Sequence, residues 1–182
     1  MFKNKYRIKS ARLAEWDYSN PWWYYVTINT KDHKDFLGKV RNGKVIVNRL
    51  GRIAENCWKE IPNHYPASEL DYFVVMPNHI IHGIIIINSG VETGHPSGLG
   101  LAEADAPSLQ RQTRSLSNII GSFKSGVTKS VHNLGYTKFG WQPRFYDRII
   151  RNEKELYNIR KYIEQNPLNW ELEREQPENI FE

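Results

Sequence analysis

Two groups of residues in this chain have the types and spacing for chemistry on a phosphodiester. His79 and His82 stand three positions apart in Met76-Pro77-Asn78-His79-Ile80-Ile81-His82-Gly83, which runs on into four isoleucines. Far downstream, Tyr162 and Asn166 lie four apart in Tyr162-Ile163-Glu164-Gln165-Asn166-Pro167. Neutral imidazoles ligate transition metals well and other divalent ions acceptably, and an amide carbonyl adds an oxygen. A phenol attacks phosphorus poorly unless it is oriented and the phosphate charge is neutralised, and a nearby cation supplies that neutralisation. On a basic chain, the set points to a metal-dependent enzyme that cuts and rejoins DNA through a phosphotyrosine.

The spacings set conditions. In a regular strand, residues i and i+2 share a face and residues i and i+3 do not. His79 and His82 converge only through an irregularity: a β-bulge at Ile80-Ile81, or a His79 that still belongs to the preceding turn. Tyr162 and Asn166, at i and i+4, share one helix face. Plainer readings stand beside these: a turn histidine with an unrelated strand histidine, and a core tyrosine before a capping Asn-Pro. Tyr157 and Tyr146 are rival phenols, but Lys161 and Ile150 follow them four positions on, and neither is a ligand type. The chain carries no Gly-rich nucleotide loop, CxxC pair or HExxH helix.

The partner is suggested by charge. The 182 residues carry +5 overall, but residues 108–161 hold 11 Lys/Arg against 3 Asp/Glu, whereas residues 162–182 hold one Arg and six Glu. The basic region suggests a polyanionic partner, a solvated basic face accounts for it equally, and the acidic tail (170–182) reads as a solubilising end or as a cover for the basic surface when DNA is absent. Arg111, Arg114, Lys124, Arg144, Arg148 and Arg151 are the candidate phosphate contacts. Between Gly140 and Arg151, aromatics alternate with arginines, as in surfaces that stack unpaired bases and hold phosphates; Trp141, Phe145 and Ile149 also fit a core-facing strand. The run from Ile80 to Ile87 is too short to cross a bilayer, no signal peptide is visible, and Cys57 is the single cysteine, so a cytoplasmic protein without a membrane partner is expected.

These residues need positioning. Tyr24 to Thr30 reads as a strand. Leu37–Val40 and Lys44–Val47 flank Asn42-Gly43, a hairpin turn signal. Helical spacing from Leu50 to Ile61 follows, with Asn48 as cap. Leu70–Met76 and His79–Ile87 read as antiparallel strands joined by Pro77-Asn78. Residues 88–107 read as a flexible loop, and Leu116 to Leu134 as a helix that Gly135 stops. A strand over Arg144–Arg151 leads to a last helix that Asn152 and Glu155 cap and that ends before Pro167. Without the hairpin, the order is β-α-β-β-α-β. The expected fold is α+β in a single domain over 1–182: a ferredoxin-like split βαβ palm, an antiparallel sheet with two helices on one face and a C-terminal tyrosine-bearing helix.

Asp71–Ile87, Trp141–Arg151 and Tyr162–Pro167 resemble the REP-associated tyrosine transposases of the wider HUH group. Arg12–Thr30 and Leu116–Ser125 do so as well. The resemblance keeps its order over most of the chain. It implies a divalent metal, Mg²⁺ or Mn²⁺, held by His79, His82 and Asn166, and Tyr162 as the nucleophile that leaves a 5′-phosphotyrosine and a free 3′-OH. It also implies single-stranded or hairpin DNA as partner, with a monomer or a homodimer as the working unit. The family's histidine pair is separated by one residue and this one by two. A catalytically impaired DNA-binding protein of the same fold is the alternative that the extra residue motivates.

Overall fold

The computed structural model describes residues 16–87 and 115–175, apart from the side chains of residues 79–82, 174 and 175. The expected loop over 88–107, Arg111, Arg114 and the last part of the acidic tail lie outside the described residues. Strand β1 (Trp22–Asn29) leads through a 3-10 turn to the hairpin β2 (Gly38–Arg41) and β3 (Lys44–Val47). Helices α1 (Arg49–Lys59) and α2 (Ile61–His64) precede the antiparallel pair β4 (Ser68–Val75) and β5 (His79–Ile87). Helix α3 (Leu116–Asn133), strand β6 (Tyr146–Ile149) and helix α4 (Glu153–Glu175) follow.

The main sheet has the order β4-β5-β1-β6, every neighbour antiparallel. That is the split βαβ arrangement. Alternation along β1 divides it into two faces. Tyr24, Val26 and Ile28 are buried with Leu50, Ala54 and Trp58 of α1 and Ile119, Phe123 and Val127 of α3. Tyr25 on the opposite face is buried with Ile84 of β5 and with Leu156 and Ile163 of α4. The sheet is thus sandwiched between α1/α3 and α4, and each buried Leu or Ile of the second layer contributes roughly 1.5–3 kcal/mol. Trp141, Phe145 and Ile149 join the α1/α3 core, as their spacing allowed.

Local chemistry fixes the ends of the elements. Asn42 (φ 53°) and Gly43 (φ 66°) take the left-handed conformations that a tight hairpin demands. Asn48 Oδ1 accepts from the amides of Leu50 and Gly51 and starts α1. Asn152 Oδ1 accepts from the Glu155 amide at 2.9 Å, while the Glu155 carboxylate accepts from the Arg151 amide at 2.9 Å. Strand β6 is shorter than expected, with Trp141 reduced to an isolated bridge to Thr30.

Helix α4 corrects one expectation, because it does not stop before Pro167 but continues through it to Glu175. Proline removes one amide donor and strains the preceding turn. The second half of the helix gains contacts of its own: Glu171 accepts from the amides of Asn42 and Gly43 at 2.9 and 2.5 Å, and the Leu168 side chain lies over Gly43. The first residues of the acidic tail, 170–175, therefore form helix and grip the β2–β3 turn.

Candidate active site

The two-residue gap between the histidines is resolved in the backbone. β1 pairs Val26 with Gly83 but Ile28 with Ile80, so two steps on β1 match three on β5. β4 pairs Val74 with His82 and the next residue, Val75, with Ile80. The β4 pairing leaves Ile81 as the extra residue, and the β1 pairing sets Ile81 and His82 together opposite Thr27, a β-bulge. Beyond it, His79 pairs with Asn29. His82, next to Gly83, falls level with Thr27. Thr27 and Asn29 are two apart on β1, on the face of Tyr25 that α4 covers. The register thus returns positions 79 and 82 to one side of the sheet, the side of α4. The turn before His79 is pinned by buried Thr30, whose hydroxyl donates to the Asn78 carbonyl at 2.5 Å and whose amide donates to it at 3.2 Å.

Across that face runs α4. Tyr162 is 46 % exposed, while Asn166, one turn on, is 6 % exposed. The Asn166 Oδ1 atom is buried with no hydrogen-bond partner among the described residues. Such a carbonyl is costly to leave unmade and is the kind of oxygen a divalent cation coordinates. Among the described side chains no three His, Cys, Asp or Glu form a cation cluster; two imidazoles and an amide oxygen are a different donor set, and the orphaned Asn166 oxygen fits it. Arg160 anchors the helix from the other edge, with Nε and Nη2 donating to Asp71 Oδ2 at 2.8 and 2.7 Å and the guanidinium over Tyr72. A second irregularity between Leu70 and Phe73 puts Asp71 and Tyr72 within its reach.

A buried phenol underlies Tyr162. Tyr25 accepts from the Thr27 hydroxyl at 3.3 Å. Burial pushes its pKa up to about 12, and the nearby phenols of Tyr162 and Tyr146 add to the rise while the Thr27 bond opposes it. It is a neutral phenol throughout the physiological range. Tyr146 pairs with Thr27 across β1–β6 and is 52 % exposed. Three phenols therefore share the site, of which Tyr162 and Tyr146 are open to solvent.

The basic residues divide between the layers. Arg148 pairs with Tyr25 in register and is ion-paired to Glu155 at 2.5 Å. Glu155 is held below the usual carboxylate range, first by the Arg151 amide and then by Arg148. Arg144 and Arg151 are exposed at the two ends of β6. Lys124 belongs to the opposite layer, where Nζ donates to the Gln142 carbonyl at 2.6 Å and burial lowers its pKa. Sequence reasoning missed Tyr25, Thr27 and the Arg160–Asp71 pair, and read Glu155 as a helix cap alone. Period-2 alternation along β1 already placed Tyr25, Thr27 and Asn29 together, whereas Asp71 and Arg160 carried no signal.

No family model matches the chain. An uncharacterized protein of Haemophilus influenzae is 33% identical over 166 residues, covering 91% of each chain. This chain belongs to that protein's family. Among solved structures, a REP-associated tyrosine transposase bound to a REP hairpin superposes with a TM-score of 0.53 at 20% identity, over 82% of this chain and 68% of that one. The shared architecture is the REP-associated transposase fold. Among the described residues, no helix is long and apolar enough to cross a membrane.

Proposed function

We propose that this protein is a transposase-like enzyme that cuts and rejoins single-stranded DNA, acting on hairpin-bearing repeats. The observation that carries the proposal is the bulge at Ile81, which brings positions 79 and 82 to one face, beneath the helix that carries Tyr162 and the orphaned carbonyl of Asn166. The same bulge absorbs the residue that motivated a catalytically impaired protein and so favours the active reading.

His79, His82 and Asn166 would hold the divalent ion, Mg²⁺ or Mn²⁺, which when bound neutralises charge on the scissile phosphate. Tyr162, half-exposed above the sheet, offers its phenolic oxygen to phosphorus. The new bond is tyrosine oxygen to phosphorus, and the bond that breaks joins phosphorus to the 3′-oxygen. The phenolic proton ends on that 3′-oxygen, leaving a 5′-phosphotyrosine and a free 3′-OH. One phosphodiester replaces another, so attack by a 3′-OH rejoins strands with no external energy source. Arg148 and Arg151 flank the site for phosphate contacts. The packing of α4 on the sheet of its own chain supports a tyrosine that acts within one subunit.

Incubating the protein with a labelled hairpin oligonucleotide carrying single-stranded flanks, with Mn²⁺ or with a chelator, tests this. Metal-dependent strand cleavage with a covalent protein–DNA band is expected. Binding without cleavage at any metal concentration would establish the impaired reading instead.

A further inference from the structure

A cavity of about 410 Å³ opens where β1 begins and β5 ends, beside the first turn of α4. Its walls include Trp22, Trp23, Ile86 and Leu156, and Arg151, Asn152 and Glu153 also line it. The volume lies within the range of small-ligand sites. Trp22 and Trp23 remain 40 % and 36 % exposed, although both belong to a central strand. The Trp22 ring is fixed: Nε1 donates to the Ile150 carbonyl at 2.8 Å, and the ring meets Trp16 edge-on at 5.6 Å. A rigid, part-exposed indole is a ready surface for a flat π system.

The position of the cavity decides what that π system is. Trp23 pairs with Ile86 and lies on the same face of β1 as Tyr25 and Thr27, the face that α4 covers. From Thr27 to Trp23 is four residues of strand, about 13 Å. Stacked nucleotides are about 3.4 Å apart, so this spans at most about four of them, and fewer if the strand is stretched. Arg148, which the strand's phosphates would share with its partner Glu155, stands between the two points, opposite Tyr25, and Arg151 stands at the cavity itself. Cationic groups along the path with aromatic walls at its end match a single strand, whose phosphates track the arginines and whose bases seek a stacking partner.

We infer that this cavity receives one unpaired nucleobase of the DNA strand held at Tyr162, within about four nucleotides of the cut. This rests on the reading of the site as a single-strand nuclease. Stacking on the part-exposed Trp23 indole tolerates any base, and Asn152 at the edge offers an amide to a base edge.

The test compares binding of oligothymidylate with that of an abasic strand of equal length and charge, for the full chain and for Trp23→Ala and Ile86→Trp. The first variant removes a wall and the second fills the space, so a folding failure of one leaves the other. Each folded variant is expected to lose about tenfold or more of the affinity for oligothymidylate while binding the abasic strand as before. Unchanged oligothymidylate binding, or equal loss on both strands, would overturn the assignment. Hairpin cleavage with Mn²⁺ is read separately. An intact base preference without cleavage fails the nuclease reading alone, and cleavage with unaltered preference in both variants fails the cavity alone.

Discussion

Replacing Asn166 with leucine should make the metal-free protein more stable and the metal-loaded protein no more stable than that. Asn166 is 6 % exposed, and its Oδ1 atom is buried without a partner among the described residues. An unsatisfied buried polar atom costs about 1–3 kcal/mol, and an apolar side chain of similar shape relieves that cost. In a domain of this size, each kcal/mol moves the melting midpoint by about 2–4 °C, so Asn166→Leu should melt about 2–12 °C higher in a chelating buffer. For the unmodified protein, Mn²⁺ at a hundred times its dissociation constant adds about 2.7 kcal/mol, a rise of about 5–11 °C. The variant should show little of that rise, having lost one of three donors. Thermal melts followed by circular dichroism, with and without Mn²⁺, read both effects. A variant that melts lower than the parent in chelator, or one that gains as much from Mn²⁺, refutes the assignment of Asn166 as a ligand.

Deleting Ile81 removes the bulge but leaves every other pairing of β5 in place, so metal-dependent cleavage should persist within about tenfold; inserting an alanine after Ile81 should abolish it, because the histidine positions then fall on opposite faces if the bulge is kept, or four residues of strand, about 13 Å, apart if it is lost. The raised Tyr25 pKa favours the folded state while the phenol is neutral. Its contribution is complete below pH 10 and fades as pH rises through about 12, by roughly 2–3 kcal/mol. Denaturant melts at pH 9 and pH 12 should therefore show a smaller alkaline loss for Tyr25→Phe than for the parent. Glu171→Ala removes both acceptors from the β2–β3 turn and should lower stability by about 1–2 kcal/mol, read from the urea midpoint.

Much of this was legible in the residues, and the failures have physical causes. Asn42-Gly43, Asn48 and the apolar stripes of α1 and α3 specify their elements locally, so the β-α-β-β-α-β order followed from short-range chemistry. The bulge was an inference from incompatibility: two histidines three apart cannot share a pleated face, and a chain that needs them together must insert a residue. Ile81 was not distinguishable from Ile80, because only the cross-strand partners Val74, Val75, Val26 and Ile28 identify the extra one. The end of α4 was misread because proline is a local signal, whereas the contacts that carry the helix past Pro167 come from a turn more than a hundred residues earlier in sequence. The cavity beside Trp23 is likewise assembled from three separate segments. Lys124 looked like any other basic residue of its helix, and only its tie to Gln142 shows that it braces a loop on the far side of the sheet.

The central claim is that one phenol among several takes the phosphate. Trapping the covalent protein–DNA complex formed with a hairpin substrate and Mn²⁺, then digesting it and mapping the modified residue by mass spectrometry, reads this directly. The account predicts the nucleotide on Tyr162, and no adduct from Tyr162→Phe. An adduct on Tyr146 or Tyr157, or one that survives Tyr162→Phe, would contradict it.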